Sequence, residues 1–409
     1  MRATLRVAAA ALISSSTVRQ AQRLCAAGLR RSLGRRPRVL YFHHWADPFS
    51  ALAAAALPAI TQAYDIDLHC FCVGPGIKET VPDPERWMVW SERDAARLSL
   101  KLSIAPASDP EALGVPADTP AARAAGEALR AKLGHYGTAM FYFEGEWYWG
   151  LDRLSFLEER LKPIRRGAAP SEEIAPRPHI VRSSSSLSSA SVSQNSKSAP
   201  PLSGQDHDAC LEVFASLRSP YSYLALEQLA TIAQEFGATV RLRMVLPMVM
   251  RGLPVPPSKR FYIVRDCKRE AERLGLAFGR ICDPLGAPTE RGLALIHYAA
   301  RSGRDLAVAR SFLQAVFAEG IDAGGSAGLK LIAGRAGLSA QDVRAALADN
   351  SWREEVERNR MALFAAGLWG VPSFRAIGPG LSGEAHWGQD RLWAVADDWF
   401  SAREREAAV

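Results

Sequence analysis

Two parts of the chain repeat each other, and any fold assigned to it has to accommodate the same pattern twice. Segment 41–53, YFHHWADPFSALA, aligns with segment 213–225, VFASLRSPYSYLA, at an offset of 172 residues. The later parts of each copy also align, as GTAMF at 137–141 with GVPSF at 370–374 and WGLDRL at 149–154 with WGQDRL at 387–392. Because both ends of the repeated unit occur in the same order, we interpret the chain as a tandem duplication.

Each copy has the pattern of a strand, a helix and a second strand, followed by helices, two more strands and a closing helix. A βαβ unit joined through helices to a ββα unit predicts an α/β fold with a mixed sheet. The middle helices of the second copy form a large insertion that could cover a pocket. Apolar periodicity predicts helices over 85–103 and 119–133 in the first copy and over 257–274, 289–301, 304–318, 326–336, 340–348 and 352–366 in the second.

Composition divides the chain into five parts. We expect a basic leader over 1–37, a first domain over 38–162, a linker over 163–206, a second domain over 207–402 and a short tail over 403–409. The linker is rich in Ser and Pro and has few apolar residues to bury, which is typical of a flexible connection.

The positive charge of the chain is concentrated in its first 38 residues. This segment has nine arginines and no acidic residue, and since the whole chain has a net charge of +7, the remainder is close to neutral at −2. We therefore expect no nucleic-acid partner. No apolar run approaches the ~20 residues that span a bilayer, so we expect no membrane partner either.

The composition of the leader is compatible with two cellular locations of the protein. An Arg- and Ser-rich segment without acidic residues is typical of an organelle transit peptide, and a basic amphipathic helix of a cytosolic protein has the same composition. We expect a cytoplasmic protein, with a mitochondrial or other organelle location as the alternative. The six cysteines include no Cys-x-x-Cys pair and the histidines lack metal-ligand spacing, so we expect reduced thiols and no metal site.

The turn before the first helix of the second copy has a serine at the N-cap of that helix. A strand pattern ends near Phe214, and Pro220 at the first helical position leaves Ser219 as the N-cap, beside free backbone N–H groups. Many redox proteins carry Cys-x-x-Cys at such a turn, where this chain has Ser219-Pro220-Tyr221-Ser222. A hydroxyl group cannot form a disulfide. The turn is therefore suited either to hold the thiolate of another molecule or simply to cap the helix.

Two further segments of the second copy are expected to meet this turn. In 370–374 the bond before Pro372 is either cis, which would leave the Val371 backbone facing the turn, or an ordinary trans loop bond. In 387–392, Asp390 is either a plain helix cap or, together with Gln389, a receptor for an amino-acid head group.

Together, SPYSY at 219–223, GVPSF at 370–374 and WGQDRL at 387–392 resemble the family of 2-hydroxychromene-2-carboxylate isomerases and kappa-class glutathione transferases. The resemblance covers 208–402 and is partial over 38–162. It implies a DsbA-like thioredoxin fold with a helical insertion, and hence two tandem thioredoxin-like domains. It also implies glutathione as the cofactor of a reaction on a small-molecule substrate.

The resemblance further implies roles for individual residues. Ser219 would stabilise the glutathione thiolate, and the Val371 backbone beside a cis Pro372 would pair with the cysteinyl part. The other expected glutathione ligands are Gln389, Asp390 and Arg391 at the γ-glutamyl end and Lys259 on the substrate or glycyl side. The expected substrate-side residues are Tyr221, Tyr223 and Arg251. Without the family, Lys259 is a solvated lysine at a helix start and the two tyrosines are equally suited to core packing.

The first copy lacks the same chemistry, since Asp47 takes the place of Ser219 and Ala139 that of Pro372. A carboxylate would repel a thiolate, so we expect a degenerate domain that binds no glutathione productively. The predicted function is that of a glutathione-dependent isomerase or transferase. The alternatives are a thiol–disulfide oxidoreductase and a non-catalytic thioredoxin-fold binding protein. We expect the two domains to pair within one chain or within a homodimer.

Overall fold

The computed structural model describes residues 2–77, 79–167, 173–178, 180 and 209–407. Within these residues the strands form two sheets of four, one in each half of the chain, and helices pack against both. The predicted α/β class is confirmed. Most of the predicted linker lies outside the described residues.

The predicted leader folds into two helices, α1 (Arg2–Ile13) and α2 (Ser16–Ser32). Ser15 caps α2, because its hydroxyl oxygen accepts a hydrogen bond of 3.3 Å from the backbone N–H of Val18. Ser14 is buried and donates to the carbonyl oxygen of Gly279 at 3.2 Å. The two helices therefore pack against the body of the protein.

The first unit contains a mixed sheet of β1 (Arg38–His43), β2 (Asp67–Cys72), β3 (Met140–Phe143) and β4 (Glu146–Trp149). Its order is β2-β1-β3-β4, with β1 parallel to β2 and antiparallel to β3. The central strand β1 is buried along nearly its whole length. The helices of this unit are α3 (Pro48–Ala54), α4 (Leu57–Ala63), α5 (Pro84–Leu102), α6 (Pro120–Lys132) and α7 (Leu154–Leu161).

The second unit has the same sheet topology. Its strands are β5 (Cys210–Ala215), β6 (Thr239–Met244), β7 (Ser373–Ile377) and β8 (Ala385–Trp387), in the order β6-β5-β7-β8 with the same relative directions. The helices are α8 (Pro220–Phe236), α9 (Pro257–Arg273), α10 (Ala287–Ala300), α11 (Asp305–Gln314), α12 (Ser326–Arg335), α13 (Ala340–Ala348), α14 (Trp352–Ala365) and α15 (Leu392–Ala407).

The helix bounds follow local sequence signals. Proline at the first position, where a missing N–H costs no hydrogen bond, begins several of the helices: Pro48, Pro84, Pro120, Pro220 and Pro257. The predicted helices begin and end within two residues of the observed ones, apart from the one expected over 304–318. There α11 ends at Gln314, and a π-helical turn continues over Ala315–Glu319.

The apolar cores of the two units are not separate. The core that surrounds β1 and α3 also contains Phe214, Leu363 and Trp393 of the second unit. The beginning of the predicted linker packs on the body as well, since the Arg177 guanidinium donates to Glu270 at 2.6 Å and the backbone N–H of Ile174 donates to Glu158. The two units therefore form one packed body with an extensive shared interface.

Candidate functional site

A cavity of about 520 Å³ lies between the two units. Its walls are mostly apolar, and both units contribute to them. The lining includes the turn before α8, the segment before β7, the turn after β8 and the first half of α9 from the second unit, together with α5 and the turn before α3 from the first.

Ser219 lines this cavity at the start of α8. Its hydroxyl oxygen accepts a hydrogen bond of 3.2 Å from the backbone N–H of Ser222, as a helix N-cap does. Because the oxygen acts as the acceptor, the hydroxyl proton is left to be donated to another group. Ser222 itself points inward, where its Oγ accepts from the backbone N–H of Ser216. The predicted N-cap is confirmed, and Ser219 is the member of the pair that borders the cavity.

The segment before β7 reaches the same cavity through Val371 and Pro372, and the peptide bond between them is cis. The Pro372 carbonyl oxygen accepts from the backbone N–H of Gly388 at 3.0 Å, which joins this segment to the turn after β8. Gly370 is required here for steric reasons, since a Cβ atom at this position would overlap the indole of Trp387. Trp387 therefore packs directly against the backbone that leads into the cavity.

Gln389 borders the cavity but is only 3% exposed. Its Oε1 accepts from Nε2 of Gln228 at 3.1 Å. Its own Nε2 is buried and has no hydrogen-bond partner among the described residues. A buried amide without a partner is costly, which makes this group a candidate ligand donor.

Asp390 and Arg391 form ion pairs between the two units. The Arg391 guanidinium donates to both carboxylate oxygens of Asp152, at 2.7 and 2.9 Å, and to Asp94. In the reverse direction, Arg153 donates to Asp390 at 2.7 Å and to Asp266. The Asp-Arg pair of each repeat thus exchanges partners with that of the other repeat.

The ion pairs of this network keep its buried carboxylate and guanidinium groups charged. Burial opposes ionisation of Asp390, but Arg153 and Arg391 together lower the pKa of its carboxyl group to about 2. Burial also opposes the charge on Arg391, and Asp152 and Asp94 nevertheless raise the pKa of its guanidinium well above the ordinary value. The Arg391 side chain, expected to bind glutathione, is therefore committed to the interface. The Asp152-Arg153 pair of the first unit likewise has a structural role, because both side chains take part in the same buried ion pairs.

Lys259, at the start of α9, is a mostly buried cation in the cavity wall. Its Nζ donates to the backbone carbonyl of Thr80 in the first unit at 2.7 Å. Burial lowers the pKa of this amine to about 8. Arg251 also lines the cavity, and burial lowers its pKa from the ordinary value. These two groups are candidate anion-binding side chains in the cavity wall.

The two tyrosines near Ser219 have different positions. Tyr221 lines the cavity, and its hydroxyl donates to Asp266 at 2.7 Å. Tyr223 does not line it: the ring is 3% exposed, stacks against Phe317, and its hydroxyl donates to the carbonyl of Ala277. Of the two roles expected for Tyr223, the structure therefore shows core packing and not the substrate side, since residues two positions apart on a helix point in nearly opposite directions. The structure brings together the other nine predicted site residues.

An aromatic cluster that sequence reasoning missed forms a large part of the wall. Trp87 and Trp90 of α5 contact Trp387 with ring centroids 5.6 and 5.1 Å apart, and Trp149 and Trp369 complete the cluster. The repeat carried a signal for these contacts. At the offset of 172 residues, Trp87 aligns with Lys259, Trp90 with Tyr262 and Asp94 with Asp266, so α5 and α9 were recognisable as equivalent helices.

The first unit presents its own turn to the same cavity. Asp47 caps α3 and is nearly fully buried, with its carboxylate accepting from the Ser50 hydroxyl at 2.8 Å and from the backbone N–H of Phe49. Burial raises the pKa of Asp47 despite these hydrogen bonds. Ala139, which takes the position of Pro372, has a positive φ of 54°. The caps at Asp47 and Ser219 thus share an extended backbone conformation and differ in chemistry, whereas the backbones at Ala139 and Pro372 differ.

Residues 210–399 match the family of DSBA-like thioredoxin domains. The second unit is therefore similar to a DsbA-like thioredoxin domain. Comparison with curated proteins gave no match. The match covers β5 through α15, including the helical insertion, and leaves the first unit outside it.

Several solved structures resemble about half of the chain. One is a 2-hydroxychromene-2-carboxylate isomerase, with 22% identity, a TM-score of 0.42, and coverage of 49% of this chain and 98% of that one. Another is a probable DsbA oxidoreductase from Streptomyces coelicolor, with 22% identity, a TM-score of 0.36 and coverage of 47% and 90%. A third is the cytosolic disulfide reductase DsbM from Pseudomonas aeruginosa, solved with GSH, with 19% identity, a TM-score of 0.36 and coverage of 49% and 100%.

Proposed function

We propose that the DsbA-like domain binds glutathione in the shared cavity and catalyses a glutathione-dependent isomerisation or transfer on a small apolar substrate. The observation that carries this proposal is the Ser219 hydroxyl, which borders the cavity at the start of α8 with its proton free to donate. A thiolate at this point would also be favoured by the helix dipole.

The cavity has no cysteine in its lining, so a reacting thiol would have to come from another molecule. All six cysteines lie in the described residues, and none of them lines the cavity. Ser219 and Ser222 stand at the positions of a Cys-x-x-Cys pair, so the turn cannot exchange disulfides by itself. This argues against the alternative of a thiol–disulfide oxidoreductase, although such proteins are also among the structural relatives.

The residues present fit glutathione in part. The buried Nε2 of Gln389 lacks a partner among the described residues and could donate to the γ-glutamyl carboxylate. Asp390 is ionised, and its Oδ1 could accept from the ammonium group while its Oδ2 stays bound to Arg153. Val371 borders the cavity where the cysteinyl part would lie, and Lys259 could bind the glycyl carboxylate or the substrate. The Arg391 side chain is excluded from this set, because its hydrogen bonds are used by Asp94 and Asp152.

The remaining walls of the cavity suit the small apolar substrate of the proposed reaction. The tryptophan cluster offers flat apolar surfaces, and Tyr221 and Arg251 provide polar contacts beside them. Bound glutathione would supply a thiolate for addition to, and elimination from, a conjugated or otherwise electrophilic substrate. Ser219 would donate its proton to the sulfur and so stabilise the negative charge, acting as an electrostatic group and not as the nucleophile.

Isothermal titration of the full chain with glutathione tests this proposal. We expect binding in the range of about 1 μM to 1 mM, as is usual for enzyme substrates, and a lower pKa for the bound thiol than for free glutathione. Ser219→Ala should retain binding and raise the pKa of the bound thiol, as followed by the ultraviolet absorbance of the thiolate. A chain that gives no heat with glutathione, or that reduces insulin with dithiothreitol, would refute the proposal, and the first result would favour a non-catalytic binding protein.

A further inference from the structure

The cavity wall contains a histidine of the first unit with an unpaired ring nitrogen. His135 lies just after α6 and lines the cavity, although the residue is only 6% exposed. Its Nδ1 accepts a hydrogen bond of 3.0 Å from the backbone N–H of Gly137, so the proton of the neutral ring lies on Nε2. Burial lowers the pKa of His135 to about 3, which keeps the ring neutral. Nε2 is therefore a hydrogen-bond donor, and it has no partner among the described residues.

A tyrosine of the second unit contacts this histidine. Tyr262 of α9 also lines the cavity, and its ring centroid lies 4.8 Å from that of His135, with the two ring planes nearly perpendicular. The residue is half-buried, but its hydroxyl group is covered and lacks a hydrogen-bond partner in the part of the chain that the structure describes. Two donors from different units thus lie in one part of the wall. We call them the donor patch, defined as His135 and Tyr262.

Unpaired buried donors are uncommon in native proteins, because each one loses its hydrogen bonds to water without gaining another. The Tyr148 hydroxyl is also buried without a partner among the described residues, but Tyr148 does not line the cavity. The donor patch differs from it in two respects: its donors belong to neighbouring rings, and both rings border a cavity large enough for a ligand. A ligand oxygen would supply the missing acceptor.

The charges around the donor patch favour a ligand oxygen that is negative. Lys259 lies one helical turn before Tyr262 on α9 and lines the same cavity, and the charge of Arg130 acts on His135. The carboxylate that acts on both rings of the patch is that of Asp266. Its oxygens already accept hydrogen bonds from three other side chains: Arg153, Arg269 and Tyr221.

We propose that the donor patch binds a substrate oxygen that carries negative charge or acquires it in the reaction, while the flat apolar remainder of the substrate lies against the tryptophan cluster. This inference rests on the proposed function and gives the first unit a part in it. When a thiolate adds to a conjugated carbonyl compound, its electron pair forms the C–S bond and the displaced π electrons move to the carbonyl oxygen. Elimination returns these electrons and breaks the C–S bond, so no proton is gained or lost overall. His135 and Tyr262 would donate to the oxygen while it is charged.

Titration of the full chain with 4-nitrophenol, without glutathione, tests this inference. This probe is a flat ring whose oxygen becomes an anion that is visible by its absorbance. We expect the bound probe to ionise at a lower pH than the free probe, because the donor patch and the nearby amine stabilise the phenolate. Y262F and H135N should each weaken phenolate binding by about tenfold or more. In H135N the asparagine Oδ1 takes the place of Nδ1 and still accepts from Gly137, so only the Nε2 donor is lost.

Y148F is the matched control, since it deletes a buried hydroxyl group that is unpaired among the described residues and lies away from the cavity. It should leave phenolate binding unchanged. Thermal unfolding should show no loss of stability in Y262F or Y148F, because neither change removes a hydrogen bond between described residues. Circular dichroism should show the wild-type fold in all three variants.

Three results would overturn the inference: no binding of the phenolate, ionisation of the bound probe at the same pH as the free probe, or equal phenolate binding by Y262F and Y148F. The glutathione titration has a separate outcome. A chain that binds the phenolate through the donor patch but gives no heat with glutathione would refute the proposed function and still support the patch as a binding site.

Discussion

Arg391 donates two parallel hydrogen bonds to Asp152, from Nη1 to Oδ1 at 2.7 Å and from Nη2 to Oδ2 at 2.9 Å. Both side chains are almost completely buried, and they come from equivalent Asp-Arg pairs of the two repeats. This contact shows that the first unit is an integral part of the interface and not a domain tethered by a linker.

The first prediction concerns this ion pair. Arg391→Met should lower the free energy of unfolding by about 3–5 kcal/mol, because Asp94 and Asp152 would remain buried without a counter-charge. Arg358→Met is the control: Arg358 pairs with Glu355 on the exposed face of α14, where an ion pair contributes only ~0.5 kcal/mol. Urea titration followed by circular dichroism measures both. Similar unfolding midpoints for the two variants would show that the buried network does not stabilise the interface.

The second prediction uses the difference between the two turns. Ser219→Asp reproduces the cap that Asp47 provides to α3, so the unfolding free energy should change by no more than ~0.5 kcal/mol. The same carboxylate should repel a glutathione thiolate and raise the pKa of the bound thiol by about one unit or more. Thiolate absorbance as a function of pH measures the effect. Ser339→Asp, in the capping box of α13, is the control and should leave the bound thiol unchanged; an equal effect of both changes would contradict the assignment of Ser219.

A third prediction follows from the burial of Lys259. Its pKa is about 8 in the folded protein, below the ordinary value of 10.5, so between these values the unfolded chain binds more protons than the folded one. Stability should therefore rise with pH through this window, and the charged amine should cost up to ~3 kcal/mol at neutral pH. Lys259→Met should stabilise the protein at pH 7 and much less near pH 10.5.

Unfolding midpoints measured at both pH values check this sign. Lys330 is exposed on α12, so Lys330→Met should shift neither midpoint appreciably. A loss of stability at pH 7 in Lys259→Met would mean that the hydrogen bond to the Thr80 carbonyl outweighs the cost of burying the charge.

The fourth prediction addresses the aromatic wall. Gly370→Ala should displace Trp387, because the added Cβ atom would overlap its indole, and should cost about 1–3 kcal/mol or more as other overpacked positions do. Gly334 in α12 has open space around it, so Gly334→Ala should stabilise the helix by up to ~1 kcal/mol. Thermal unfolding gives the stabilities, and tryptophan fluorescence should change in the first variant alone. An unchanged emission spectrum in Gly370→Ala would contradict the packing of Trp387 on this glycine.

Sequence reasoning predicted the second unit more completely than its surroundings. The strand that ends near Phe214, the cap at Ser219 and the helix that begins at Pro220 all occur as expected. The family resemblance implied the substrate side for Tyr221 and Tyr223, with core packing as the alternative, and the structure places Tyr223 in the core. Trp87 and Trp90 were missed because helical periodicity identifies α5 as a helix without indicating which other unit it contacts.

By itself the sequence determined the local structure of this protein: the strands, the proline-initiated helices, the capped turns and the similar order of elements in its two halves. These features depend on backbone hydrogen bonds and apolar spacing within a few residues, which the residue types specify directly. Only the tertiary structure decided that Arg391 binds Asp152 and not a ligand, that Arg23 and Arg30 of α2 bind Glu146 and Glu144, and that Trp87 forms part of a wall with Trp387. Those outcomes depend on how two packed units are oriented, because a charge or an aromatic ring acquires its partner only when distant segments are brought within a few ångströms of each other.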